Sequence, residues 1–215
     1  MKWYVAVSGN MGSGKSTLTA HLSHRLGWQP FYEAVEENPY LADFYAHMQA
    51  WSFHSQLFFL LKRFAHCRRI QSLGEPVLQD RTIYEDAEIF ARNLYIQGLM
   101  EDRDYRFYVE IYQTLVDLLR PPDLVIYLRA SVSTLKRRIA ARDRSFERRV
   151  PRGYLEQLNQ RYEEWIARYE ASPVLEVDAD TLVLDDLDWM VEEIQGRLQT
   201  LFPLARGGKP TGDGS

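Results

Sequence analysis

The sequence predicts an α/β fold, a doubly wound five-stranded parallel sheet flanked by helices. Three observations carry that prediction. Short apolar runs alternate with stretches of helical periodicity along nearly the whole chain. One run, 124–128, is continuously apolar with β-branched Val125 and Ile126 inside it, as expected of a strand buried on both faces. The first strand meets the first helix through Gly9-Asn10-Met11-Gly12-Ser13-Gly14-Lys15-Ser16-Thr17, which contains G-x-x-x-x-G-K-S. Glycines there let the backbone turn tightly and aim N–H groups at phosphate oxygens. The helix behind adds unpaired donors and the positive end of its dipole.

Residues 3–8 form the first strand, closed by Gly9. Leu18, Leu22 and Leu26 share one face of a helix over 14–26 that Gly27 ends. Residues 28–32 make a weaker second strand ending at Glu33. Asn38 can cap and Pro39 suits a first helical position, so a helix runs to about residue 48. A long helix covers 51–73, with Gln56 and Arg63 nearly two turns apart on one side. Gly74 ends it, and 75–79 is the third strand, closed by Asp80-Arg81. Helices follow over 86–98 and 104–119 until Pro121-Pro122 breaks the chain before strand 124–128. The helix over 132–142 runs into a basic segment, and Pro151 opens another helix to about residue 170. A fifth strand over 173–177 and a helix over 185–202 complete the pattern.

Composition narrows the function. The chain has 215 residues, read as one domain over 1–205 and a Gly-, Pro- and Ser-containing tail over 206–215 that reads as disordered. Its 26 basic and 30 acidic residues give a net charge of −4, which argues against general nucleic-acid binding. A lone cysteine, Cys67, excludes an intrachain disulfide framework and suits a reducing cytoplasm. No apolar run reaches the ~18 residues of a membrane span. The first strand begins too early to leave room for a signal peptide. The expectation is a cytoplasmic protein without membrane contact.

Ligands of such sheets bind at the carboxyl ends of the strands. Three of those ends carry polar chemistry: Gly9, Glu33 and Asp80-Arg81. Phosphoryl transfer needs a triphosphate cradle, Mg²⁺, cations on the moving group and something to orient the acceptor hydroxyl. The glycine-rich loop supplies the cradle, with Lys15 reaching the β- and γ-phosphates and the Ser16 hydroxyl on Mg²⁺. Asp80 stands where an acid would hold Mg²⁺, and could also cap the next helix. Glu33 could accept a proton from a substrate hydroxyl. The basic run after Arg138 has the composition of a lid that closes over phosphates.

These segments together resemble the deoxynucleoside kinases, most of all the bacterial deoxyadenosine and deoxyguanosine branch. The likeness spans residues 2 to about 202. It rests on the glycine-rich loop, on Glu33 with Glu36-Glu37-Asn38-Pro39-Tyr40-Leu41, and on Trp51-Ser52-Phe53 with Gln56 and Arg63. It continues through Asp80-Arg81-Thr82-Ile83-Tyr84-Glu85-Asp86, the segment 138–147, and Pro151 with Tyr154-Leu155. The resemblance implies a P-loop kinase fold with an arginine-rich lid at about 142–149, ATP as donor with Mg²⁺, a deoxynucleoside as acceptor, and a homodimer. Glu33 looks like the general base on the 5′-hydroxyl. Arg81 looks like the arginine that holds that base and contacts the reacting groups, and Asp80 takes the acidic place near Mg²⁺. Gln56, Arg63 and Asp86 look like the trio that reads the base edge. Tyr45 and Glu147 look like the pair on the sugar 3′-hydroxyl, and Arg138, Arg142 and Arg144 like lid arginines on phosphates. Ala34 departs from the proline that many members carry after the base, and bulky Phe59 follows Gln56 by one turn.

The trio allows a physical reading of the substrate. Gln56 can pair bidentately with adenine, and an ionised Asp86 suits an exocyclic amino group. Arg63 could hold Asp86 or donate to a ring nitrogen. Phe53, Phe90 and Tyr45 are candidates to stack on a flat base. The expected reaction is ATP-dependent phosphorylation of the 5′-hydroxyl of a purine deoxynucleoside, deoxyadenosine first. Deoxyguanosine and deoxycytidine are alternatives, since Arg144-Ser145-Phe146-Glu147 looks more like the deoxyguanosine enzymes. A nucleoside monophosphate kinase and a nucleotide-dependent switch are more distant alternatives.

Overall fold

The computed structural model describes residues 3–33, 35, 37–142 and 150–201. Five strands, β1 (Tyr4–Gly9), β2 (Gln29–Phe31), β3 (Val77–Asp80), β4 (Leu124–Arg129) and β5 (Val174–Asp178), form one sheet in the order β2-β3-β1-β4-β5. Every pairing is parallel, with Tyr4 opposite Val77 and Val5 opposite Leu124. Around it lie α1 (Lys15–Leu26), α2 (Leu41–Ala46), α3 (Met48–Ser72), α4 (Ile83–Glu85), α5 (Arg92–Ile96), α6 (Asp102–Val116), α7 (Val132–Arg142), α8 (Arg152–Ile166) and α9 (Asp188–Leu201). The expected doubly wound sheet is therefore the one observed. The chain moves from β1 out to β2, returns through β3, and crosses to β4 and β5. Winding reverses at β1, whose carboxyl end is the switch point where ligands bind.

Burial explains the near-continuous apolar strands. All six residues of β1 are buried. Val5 and Val7 enter a core with Leu18 and Leu22 of α1, Leu135 of α7 and Ile194 of α9. Tyr4 and Ala6 face the other side, toward Ile70 of α3. The second large core packs Leu60 of α3, Tyr108 of α6, Tyr127 of β4 and Tyr162 of α8. Among the described residues no helix is long and apolar enough to cross a membrane.

Three expectations shift. Only Gln29–Phe31 of the 28–32 run pairs, as an edge strand on β3 where Pro30 can be tolerated. The helix expected over 39–48 is Leu41–Ala46, because His47 leaves helical geometry at φ −143° and ψ 72°, and α3 starts directly at Met48. The helix expected over 86–98 begins at Ile83, because Thr82 and Glu85 form a capping box. Its next turn, Asp86–Ala91, is π-helical. Such turns are uncommon and concentrate at functional sites.

Candidate active site

The loop between β1 and α1 is built by close approach. Gly9 has φ +146°, and a Cβ there would lie 2.7 Å from the Leu128 carbonyl oxygen. Gly12 has φ +79°, and its Cβ would lie 2.9 Å from both Ile139 Cγ1 and the Leu135 carbonyl oxygen. Side chains at these points would push the loop off β4 and α7. Asn10 is turned away from the loop's mouth. Its Nδ2 donates to the Leu155 carbonyl at 3.1 Å and to Asn159 Oδ1 at 2.6 Å, and its Oδ1 accepts from the Met11 N–H. Of Asn10, the backbone stays with the loop, and its carbonyl accepts from Lys15 Nζ at 2.9 Å.

Two cavities meet at this loop. One, of about 280 Å³, is lined by Glu33, Tyr45, Gln56, Phe59, Arg81, Asp86 and Phe90, with Tyr32, Val35, Leu41, Phe44 and Tyr154 completing its walls. The other, of about 470 Å³, is lined by Gly12 to Thr17 together with Arg138, Arg142, Leu182 and Leu184. Gly12, Lys15, Ser16 and Arg142 belong to both. Among the described residues, the two cavities thus meet at the Lys15 end of the loop and at Arg142.

Lys15 is buried, and burial, followed by the nearby Arg81 charge, lowers its pKa to about 8. Its ammonium is present below that pH and lost as pH rises through it. For a reaction whose varied ligand is bound by its phosphates at this loop, kcat/KM reports the free protein. It should therefore fall as pH rises above about 8, while kcat at saturation falls at higher pH, because bound phosphates favour the ammonium. Steady-state profiles over about pH 6 to 10 would show this, and a kcat/KM flat to about pH 9 would exclude Lys15 as the titrating group.

Glu33 stands beyond the end of β2, on the wall of the smaller cavity. Its Oε1 accepts from Arg63 Nη2 at 2.8 Å and lies 2.9 Å from Arg81 Nε. Burial alone would raise its pKa, but Arg81, Arg63 and Lys15 outweigh that and bring it to about 2. The carboxylate is therefore ionised and fixed. Arg81 itself has φ 73°, a left-handed backbone that costs a non-glycine residue about 1 kcal/mol or more. Its guanidinium lies over the Phe90 ring, 4.5 Å from the centroid. Asp80 Oδ2 accepts from Ser16 Oγ at 2.5 Å, while Asp80 Oδ1 is buried without a hydrogen-bond partner among the described residues. Burial raises the Asp80 pKa, and Lys15 works against that.

The segment from residue 5 to residue 202 matches the model of the deoxynucleoside kinase family. The chain belongs to that family. It is 39% identical over 191 residues to the deoxyadenosine/deoxycytidine kinase of Bacillus subtilis, covering 88% of this chain and 86% of the relative. It is 38% identical over 209 residues to the deoxyguanosine kinase of the same organism, covering 93% and 97%. Among solved structures, the deoxyadenosine kinase of M. mycoides with bound dATP superposes at a TM-score of 0.81 and 35% identity, covering 89% of this chain and 99% of that one. The protein is thus a deoxynucleoside kinase with a P-loop kinase fold.

Most of the residues read as the kinase site come together, with informative exceptions. Arg63 does not line the cavity. Its Nε and Nη2 donate to Asp86 at 3.0 and 3.3 Å, Nη2 also to Glu33, and Nη1 to the Asp80 carbonyl at 3.2 Å. With all three nitrogens engaged, it holds Asp86, one of the two roles expected of it. Phe53 faces away and stacks on Phe107, and Phe90 offers its ring to Arg81. Arg138 lines the larger cavity but donates to the Ser13 and Ala179 carbonyls at 2.7 and 2.8 Å. Arg144, Glu147, most of the expected lid and the tail lie outside the described residues. Two buried groups were not anticipated: Glu85, which accepts from the Gly9 N–H at 3.3 Å, and Tyr162. Thr82-x-x-Glu85 is a capping-box signal that would have singled out Glu85, whereas nothing local marks Tyr162.

Proposed function

We propose that this deoxynucleoside kinase moves the γ-phosphoryl group of ATP to the 5′-hydroxyl of a purine deoxynucleoside, deoxyadenosine before deoxyguanosine, in the cytoplasm. The observation that carries the proposal is the meeting of the two cavities at Lys15 and Ser16, with the ionised Glu33 on the acceptor side. The glycine-rich loop and Lys15 bind the donor phosphates. Glu33 accepts a hydrogen bond from the 5′-hydroxyl and takes its proton as the phosphoryl group arrives. Arg81 holds Glu33 and faces the charge that develops between the cavities. Arg142 stands on the same boundary; Arg138 and Arg144 complete the expected set of phosphate arginines, and Tyr45 with Glu147 the expected grip on the sugar. The hydroxyl of Ser16 and the partnerless Oδ1 of Asp80 suit a hard cation, so these two would hold Mg²⁺, which supplies positive charge to the donor phosphates when bound.

Gln56 and Asp86 support the choice of base. Both line the smaller cavity, and Arg63 fixes both Asp86 oxygens as acceptors. Burial raises the Asp86 pKa and Arg63 counters only part of that rise, so the acceptor role rests on the two hydrogen bonds from Arg63, which the carboxylate accepts with both oxygens. The relatives do not rank the bases, since those at 39% and 38% identity carry different substrates in their names. Asp86→Asn is expected to reduce the deoxyadenosine over deoxyguanosine ratio of kcat/KM by about tenfold. An unchanged ratio would remove Asp86 from base reading. Arg63 and Arg81 are already paired with carboxylates, which suits a neutral nucleoside better than a monophosphate acceptor. The proposal includes a homodimer, with exposed Leu61 of α3 and Ile96 of α5 available to an interface.

The test is ADP release with ATP and Mg²⁺ against deoxyadenosine, deoxyguanosine, deoxycytidine, thymidine and deoxyadenosine monophosphate. Selective turnover of deoxyadenosine supports the whole reading. Selective turnover of deoxyguanosine or deoxycytidine keeps the kinase and rejects the ranking. Turnover of the monophosphate alone rejects the nucleoside acceptor.

A further inference from the structure

We infer that Glu85 and Tyr162 are positioning residues that set the Arg81 guanidinium between the acceptor carboxylate and the phosphate loop. The inference rests on the reading above, in which Arg81 serves phosphoryl transfer.

Arg81, Tyr162 and Glu85 form a closed buried triangle. Arg81 Nη1 donates to the Tyr162 hydroxyl at 2.8 Å, that hydroxyl donates to Glu85 Oε1 at 2.8 Å, and the same Oε1 lies 3.5 Å from Nη1. Tyr162 and Glu85 are fully buried, and neither lines either cavity. Any influence on bound ligands therefore passes through Arg81, through the loop or through Phe90, against whose ring Tyr162 packs edge-on.

Capping a helix does not need this arrangement. The capping box uses Glu85 Oε2, which accepts from the Thr82 N–H at 2.7 Å and from Thr82 Oγ1 at 3.0 Å. Glutamine fills that role as well as glutamate does. The partners of Oε1 lie elsewhere: Arg81, Tyr162 from α8, and the Gly9 N–H at the start of the phosphate loop. One carboxylate oxygen thus ties the donor cradle to the arginine that holds Glu33.

The hydroxyl of Tyr162 has its single proton committed to Glu85 and a lone pair committed to Arg81. Removing it leaves Nη1 with only a long contact to Glu85. The guanidinium would keep its ion pairs with Glu33 and Glu85 and its place over the Phe90 ring, but would lose the hydrogen bond that fixes its orientation toward Glu33. A loss of orientation at the reacting centre lowers kcat more than it weakens ground-state binding.

A double-mutant cycle tests this, with the panel nucleoside that the wild-type enzyme turns over fastest. Tyr162→Phe should lower kcat about tenfold with nucleoside and ATP KM within about twofold. Placed on Arg81→Lys, which has no fork to orient, the same substitution should cost less than about twofold. Glu85→Gln, which keeps the capping box, should behave in the same way in both backgrounds and guards against a folding defect in the tyrosine variant. Equal fold-losses in the two backgrounds, an unchanged kcat, or a loss confined to KM would overturn the inference. Failure of the wild type to phosphorylate any nucleoside would instead overturn the underlying reading.

Discussion

Glu33→Gln is expected to lower kcat roughly a thousandfold and to leave nucleoside KM within a few-fold. The amide keeps the size of the carboxylate and can still accept from Arg63 at the position of Oε1. It cannot take a proton, and it no longer draws Arg81 by charge. A pKa of about 2 makes Glu33 a weak base in the empty site. That suits a loose transition state, in which the hydroxyl proton becomes acidic only once the phosphoryl group is arriving. The same value fixes the pH behaviour. A carboxylate whose pKa is lowered stays charged until pH falls through that low value, so no acid limb from Glu33 should appear between about pH 5 and 7. Single-turnover rates with thermal melts would separate chemistry from folding, and a near-normal rate would dismiss Glu33 as the base.

Arg63→Met should have the largest effect on stability, about 3 to 5 kcal/mol. Arg63 is buried between Glu33 and Asp86, and Asp86 is buried too. Methionine fills part of the volume but leaves carboxylates without their counter-ion. Burial already raises the Asp86 pKa, and Arg63 is the chief influence opposing it. Without Arg63 the folded state would hold protons that the unfolded state has released, so the deficit should grow as pH rises and shrink toward about pH 5. Denaturant titrations at two pH values would show that slope. Adding Asp86→Asn should restore part of the loss, because it removes one uncompensated charge. A variant as stable as the wild type at neutral pH would mean that the carboxylates find other partners.

The sheet was legible because its strands carry the signal within themselves. Val5-Ala6-Val7 and residues 124–128 are apolar in both directions, which fits a strand covered on both faces. The phosphate loop was legible because eight consecutive residues, Gly9 to Ser16, build it. What was hidden depends on partners distant in sequence. Tyr162 meets Glu85 across 77 positions, and Gly9 meets the same carboxylate across 76. Arg63 could be placed on the correct side of its helix, yet choosing between Asp86 and a base edge required the real position of the 83–96 segment. The π-helical turn over Asp86–Ala91 shifts that segment, and no composition rule announces it. The break between the second and third helices, expected just after residue 48, lies at His47, since neither glycine nor proline marks its position.

The strand order also has a consequence in time. β1 precedes every other strand yet lies at the centre of the sheet, and its hydrogen-bonding neighbours come from residue 77 onward and residue 124 onward. Both of its edges wait for chain that follows much later. Closing such long loops is entropically slow, and contacts of this range lower folding rates. During that wait Val5-Ala6-Val7 is an unpaired apolar strand, open to pairing with other chains. The phosphate-binding loop, which hangs from its end, cannot take shape before the middle of the chain has arrived.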